Sequence, residues 1–159
     1  MKNGWSKIDF AKCELWKIVT SSSSSPTSFT FKKEERLSSK KRIDELFENG
    51  SSFYLSPLRI LWLEKKLDVE AHAQVLISVS KKNFKRAVDR NKIKRLIREA
   101  YRLNKHTLYA SLKRNNRQFV IGLLYTSKIV EPFSLIQQRV IAALNRLVAE
   151  NELAEKHSA

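Results

Sequence analysis

Cysteine, glycine and proline are all scarce here: one Cys, three Gly and three Pro in 159 residues. The lone Cys13 excludes an intrachain disulfide and fits a reducing compartment. So little Gly and Pro excludes a low-complexity chain, and 42% hydrophobic residues suffice for a proper core. No apolar run approaches the roughly 18 residues that a membrane span requires. Asp9, Lys12 and Glu14 interrupt the apolar residues near the start, which excludes the unbroken core of a secretory signal. A cytoplasmic location with no membrane partner is the expectation. Acids are the last shortage: 16 Asp and Glu face 31 Lys and Arg, leaving a formal charge of +15.

That charge is concentrated. Between residues 81 and 117 lie fourteen Lys and Arg against only Asp89 and Glu99, so twelve of the fifteen net charges sit there. Cations at this density repel one another unless a polyanion neutralises them, and RNA or DNA is the usual one. An apolar stripe runs beneath them, so the segment reads as a folded surface and not a solvated tail.

Three stretches divide the chain. Residues 1–28 read as a flexible extension, because Ser21 to Ser25 and Pro26 offer no apolar face to bury. Residues 29–150 read as one RNA-binding domain, and residues 151–159 as a polar tail that frays. Within the domain, Ser38 or Ser39 can cap a helix carrying Ile43, Leu46 and Phe47 and ending at Asn49-Gly50. Leu58 to Leu63, Gln74 to Ser80 and Gln118 to Tyr125 read as strands, the last covered on both faces. The polar 65–72 segment is short enough for a hairpin connection between the first two. Pro132 suits the first turn of a closing helix with Ile136, Val140, Ala143, Leu144, Leu147 and Val148 at helical spacing.

Winding residues 86–104 at about 100° per residue gathers Ile93, Leu96, Ile97, Ala100 and Leu103 in one arc, with Tyr101 at its edge. Asn91, Lys94, Arg95, Arg98 and Arg102 fall opposite, joined by Lys105 if the helix reaches it. Ordinary solvated faces mix signs, because Glu–Lys pairs one turn apart stabilise them. Here Glu99 is the sole acid on the last four turns, which favours nucleic-acid contact. A membrane-surface or calmodulin-type helix would want bulky aromatics on its apolar side.

Val79-Ser80-Lys81-Lys82 followed by Ala87-Val88-Asp89-Arg90-Asn91-Lys92-Ile93-Lys94-Arg95-Leu96-Ile97-Arg98-Glu99 resembles the signature of the bacterial ribonuclease P protein subunit. The likeness extends from Arg36-Leu37 through the last strand and helix, covering about residues 29–148. It implies an α+β (α/β) two-layer sandwich in the order α-β-β-α-β-α, similar to the second domain of ribosomal protein S5. It also implies a left-handed crossover between parallel strands, a hand found in about 2% of such connections. By resemblance, Lys81, Lys82, Arg86, Arg90, Asn91, Lys92, Lys94, Arg95, Arg98 and Arg102 would contact the catalytic RNA. Lys92 stands where the motif usually has Arg, so a planar two-pronged contact is lost there. The resemblance also implies a cleft for the 5′ leader of precursor tRNA, with Ile43, Phe47 and Leu61 as candidates. Ile43 and Leu61 replace common aromatics, and each missing stack is worth about 1–3 kcal/mol. Phe53, Tyr54 and Trp62 are nearby aromatics that can compensate.

Protein-borne chemistry finds no support. A nuclease needs clustered carboxylates for Mg2+ or a positioned base, and His72, His106 and His157 fall in separate segments without metal spacing. No catalytic residue, metal site or organic cofactor is expected in the chain; Mg2+ would be held mainly by the RNA. The expected partners are the ribonuclease P RNA and the leader, with no obligate protein partner. A ribosomal or general RNA-binding protein, a double-stranded DNA binder and a self-sufficient nuclease remain the alternatives.

Overall fold

The computed structural model describes residues 30–68 and 71–158, so the expected extension, residues 1–28, lies outside the described residues. A short 3-10 turn at Lys33–Glu35 precedes α1 (Lys40–Asn49), β1 (Ser51–Leu55), β2 (Leu58–Glu64), β3 (Ala73–Val79), α2 (Ala87–Arg114), β4 (Phe119–Tyr125) and α3 (Phe133–Ser158). The expected sandwich of helices on a mixed sheet is present, with strand order β1-β2-β4-β3. One strand is additional. In β1 only Phe53 is buried, so five residues of sequence carry too little alternation to announce a strand. It pairs with β2 from Ser51↔Trp62 to Leu55↔Leu58.

The 65–72 segment does not make a hairpin. β4 lies between β2 and β3, antiparallel to the first and parallel to the second. The connection therefore crosses the end of β4, and Gln118 satisfies its backbone on the way. The Gln118 carboxamide accepts from Leu67 N–H at 2.6 Å and donates to Ala71 O at 3.0 Å. Its own backbone oxygen accepts from Lys65 N–H at 3.0 Å. Apolar periodicity carries no information about such a side-chain clamp.

β4 is buried along nearly its whole length, as the sequence predicts. One sheet face, with Ile60, Val75, Phe119, Ile121, Leu123 and Tyr125, packs beneath α2 and α3. On the other face Leu61 and Val120 pack with Leu37, Leu46 and Leu67 under α1. α1 lies close because Gly122 leaves room: a Cβ there would stand 3.2 Å from the Leu46 side chain. Gly50 ends α1 for a related reason, since its Cβ would lie 2.2 Å from Leu46 O. The Gly50 amide donates to that same oxygen at 3.1 Å.

α2 runs ten residues past the expected end at Asn104, to Arg114, and α3 continues through Ser158 where a fraying tail was expected. Packing lies behind the α2 extension and the first residue of the α3 extension. Leu108 and Leu112 are fully buried, and Asn151 is buried with its amide donating to Ser111 Oγ at 2.8 Å. The longer helix also moves Lys105. Instead of joining the cationic face, it is buried, donating to Glu35 Oε1 at 2.5 Å and to Thr30 O at 2.6 Å. Tyr101 and Tyr109 share a hydroxyl contact of 3.3 Å beside it, and Phe31 meets Tyr101 edge-on at 5.9 Å. The pair ties the chain's entry into the domain to the middle of α2.

Removing one member of a buried ion pair strands the other. Glu35→Ala is expected to cost about 3–5 kcal/mol in urea unfolding, whereas Glu35→Leu with Lys105→Met should recover most of it. Equal stability of wild type and Glu35→Ala would show that the pair does not hold this junction.

Candidate nucleic-acid interface

The basic loop between β3 and α2 is held from below. Phe84 is buried, its ring 6.0 Å from that of Tyr125. Its amide donates to Ser80 O at 3.1 Å, and Lys82 N–H donates to Ser80 Oγ at 3.1 Å. Asn83 reaches across to the β4–α3 connection, its Nδ2 donating to Thr126 O at 2.9 Å and Ser127 O at 3.3 Å. Tyr125 fixes that connection in turn: its hydroxyl donates to Ile129 O at 2.8 Å and accepts from Glu131 N–H at 3.0 Å. With the backbone so restrained, Lys81, Lys82, Lys85 and Arg86 stand exposed on a loop of fixed shape.

Arg90 behaves differently from its neighbours. Its Nη1 donates to Phe84 O at 2.9 Å and Lys85 O at 2.7 Å, so it closes the loop onto the first turn of α2. Asn91, Lys92 and Arg95 are exposed; Lys94, Arg98 and Arg102 are half-buried. Asn91, Arg95, Arg98 and Arg102 follow one another at alternating steps of four and three, a line along one helix face. Arg98 Nε is buried without a hydrogen-bond partner among the described residues. Arg102 grips Glu99 with two bonds of 2.9 and 2.6 Å, and that grip lowers the Glu99 carboxyl below the ordinary carboxylate range. Across the helix, Ile93, Ile97, Ala100 and Tyr101 are fully buried, as the sequence arc predicts; Leu96 and Leu103 are half-buried.

A second surface adjoins this one. On the α1 face of the sheet, register aligns Tyr54, Arg59, Leu124 and Ser78 in one row, next to the row of Ser52, Leu61, Gly122 and Leu76. α1 packs over Leu61 and Gly122 of the second row and leaves Tyr54 and Arg59 of the first. Tyr54 is 59% exposed and Arg59 is exposed, while Leu61 is buried at 3%. The open row ends at Ser78, two residues before the basic loop begins. Thus a groove floor leads from α1, where Phe47 is half exposed and Ile43 half-buried, straight to the cations.

A family model described as ribonuclease P matches residues 31–148. The chain is 37% identical over 123 residues to the ribonuclease P protein component of Porphyromonas gingivalis, covering 77% of this chain and 90% of that one. It is 31% identical over 128 residues to the same component of Chlorobium phaeobacteroides, covering 74% and 88%. In fold it is similar to the RNase P protein of Thermotoga maritima, with a TM-score of 0.57 at 24% identity over 70% of this chain and 96% of that one.

The chain belongs to the ribonuclease P protein family. Within this family member the structure sorts the sequence candidates. Lys81, Lys82, Arg86, Asn91, Lys92 and Arg95 come together on the exposed basic surface, with Lys94 and Arg98 at its flank. Arg90 serves the loop, and Arg102 holds Glu99. Leu61 belongs to the core under α1, so it is a floor and not a stacking surface. Strand alternation decides among the compensating aromatics. Phe53 lies on the opposite sheet face beneath the Arg146 guanidinium at 4.3 Å, and Trp62 packs there against Phe119 at 5.1 Å. Tyr54 alone shares the groove face. Arg59 and Asn83 were missed from sequence. Arg59 had one signal, a single charge in an apolar strand; Asn83 had none, because its partners lie in a distant loop.

Asn83→Ala is expected to cost about 0.5–1.5 kcal/mol and to speed amide exchange across residues 80–85. RNA affinity should fall with no change in its salt dependence, since no charge is removed. Unaltered exchange and affinity would mean that the loop holds its shape without this contact.

Proposed function

We propose that this chain is the protein component of ribonuclease P, the ribonucleoprotein that makes the 5′ end of tRNA. It binds the catalytic RNA through the pinned loop and the exposed line of α2. The 5′ leader of precursor tRNA lies along the groove floor between α1 and that loop. The observation that carries this reading is the adjacency of the two surfaces. The open row of Tyr54 and Arg59 meets the basic loop at Ser78, so one strand of RNA can pass from stacking surface to cations without leaving the protein.

Cutting is left to the RNA. Four of the described acids are committed elsewhere: Glu35 to Lys105, Glu45 to Lys65, Glu64 to Arg117 and Glu99 to Arg102. Carboxylates so engaged do not fit a hard divalent cation, which wants oxygen ligands free of competing cations. Mg2+ is therefore held by the RNA in this reading. The protein assists it by neutralising nearby phosphates and releasing their counterions. Leader contact adds affinity for precursor that mature tRNA lacks, which favours substrate over product.

Two measurements test the reading. The reconstituted particle should cleave precursor tRNA at low Mg2+ faster than the RNA alone, and Tyr54→Ala should weaken precursor binding by about 1–3 kcal/mol while sparing mature tRNA. Equal loss for precursor and mature tRNA would remove Tyr54 from the leader path. Arg95→Ala should lower the log–log salt slope of RNA binding by about one without altering thermal stability. An unchanged slope would remove Arg95 from the interface.

A further inference from the structure

At the end of the sheet farthest from the basic loop is a concavity of about 440 Å³ that the RNA-binding surface does not use. Its walls come from the β2–β3 connection and the C-terminal turn of α2, and they carry Lys65, Lys66, His72, Lys113 and Arg117. Among the described residues Glu64 is the one acid lining it, its carboxylate 3.4 Å from Arg117 Nε and 48% exposed. Lys65 is engaged by Glu45 outside the concavity. Arg117 is anchored rigidly: its amide donates to Leu112 O at 3.0 Å, closing α2, and its side chain is only 17% exposed. Its Nη1 is buried with no hydrogen-bond partner among the described residues.

A buried guanidinium nitrogen without an acceptor is costly, and a charged oxygen acceptor is what it lacks. The helix end ordinarily disfavours an anion. Here the last carbonyls are already used: those of Ser111, Leu112 and Lys113 accept from the amides of Asn115, Arg117 and Asn116. We propose that this concavity is a phosphate site, in which Arg117, Lys66 and Lys113 hold the oxygens of a phosphate ester or free phosphate. The volume suits one phosphate with its attached sugar, not an extended chain. α2, 28 residues long, separates it from the basic loop by about 40 Å.

His72 reports on the site from inside. Burial first, and the Lys113 ammonium second, hold its imidazole below the ordinary histidine range. Its ring meets Tyr109 edge-on at 5.7 Å, and the charged groups facing it among the described residues are Glu64, Lys65, Lys66, Lys113 and Arg117. A bound phosphate dianion must therefore raise the His72 titration midpoint, by about half a pH unit or more. The experiment follows the His72 ring resonance of the full chain against pH, in chloride and in inorganic phosphate at matched ionic strength, assigned with His72→Gln. The upward shift should disappear in Lys66→Ala/Lys113→Ala, whose two positions are exposed and leave the core untouched, and persist in Lys40→Ala/Lys41→Ala, which removes the same charge elsewhere. No shift in wild type, or the same shift in both double variants, overturns the proposal and leaves a hydrated cavity. A second arm identifies the source. If the double variant also lowers the salt slope of ribonuclease P RNA binding by about two, the phosphate is one of the RNA backbone; if the slope holds while the shift is lost, the ligand is a free phosphate.

Discussion

The fold rests on one competition, between the self-repulsion of α2 and the apolar stripe beneath it. Lys94, Arg98 and Arg102 stack one turn apart, and Arg95 and Arg98 lie three residues apart; each like-charge pair costs a few tenths of a kcal/mol. Against this, Ile93, Ile97, Leu108 and Leu112 are fully buried, worth about 1.5–3 kcal/mol apiece. Burial wins comfortably, and it wins only because α3 and the sheet supply the opposing surface. A helix of this charge has no such support alone. The polycation is thus mounted on a packed apolar surface shared with α3 and the sheet.

From that arrangement the placement of both surfaces follows. Because β3 and β4 are parallel neighbours, the crossover must leave from the C-terminal end of β3, and the basic loop therefore begins beside the Tyr54–Arg59–Leu124–Ser78 row. Phe84, Asn83 and Arg90 then fix how far the loop leans over the sheet end. Two of these three are polar, and neither is available to bind RNA with the groups already engaged. Asn83 and Arg90 position the loop, while Lys81, Lys82, Lys85 and Arg86 beside them are left exposed. This division explains how a motif rich in Arg and Asn keeps a definite geometry despite its charge.

Much of this was legible in the sequence wherever periodicity and charge act locally. The arc of Ile93, Ile97 and Ala100, the doubly covered β4 and the closing stripe from Ile136 to Leu147 all lie where the spacing puts them. Three failures share a cause. Helical winding puts Lys105 on the cationic face if the helix reaches it; only Glu35, seventy residues away, makes its burial tolerable. The 65–72 segment read as a hairpin because its length allowed one, whereas Gln118 lets it cross β4. Leu61 read as a cleft residue from its position in a family pattern, but in this chain Gly122 lets α1 settle onto it. Each miss is a contact between residues distant in sequence.

The groove departs from aromatic stacking in a particular direction. Ile43 gives half-buried aliphatic surface and Leu61 is buried beneath α1, while the open row carries Tyr54 and Arg59. Arg59 is lightly restrained, its Nη2 donating to Ser52 Oγ at 3.3 Å, and Tyr54 keeps its hydroxyl near Thr126 at 3.3 Å. A stacked base is held by its π-face whatever the ionic strength, but a guanidinium holds a phosphate by charge and loses hold as salt rises. On the proposed leader path, Tyr54 therefore offers a stacking face and Arg59 a phosphate-holding cation side by side. On the proposed RNA interface, Lys92 likewise offers a point charge where an arginine would offer a planar fork. Point charges of this kind relax the geometric demands on a bound RNA and leave its charge as the feature they recognise.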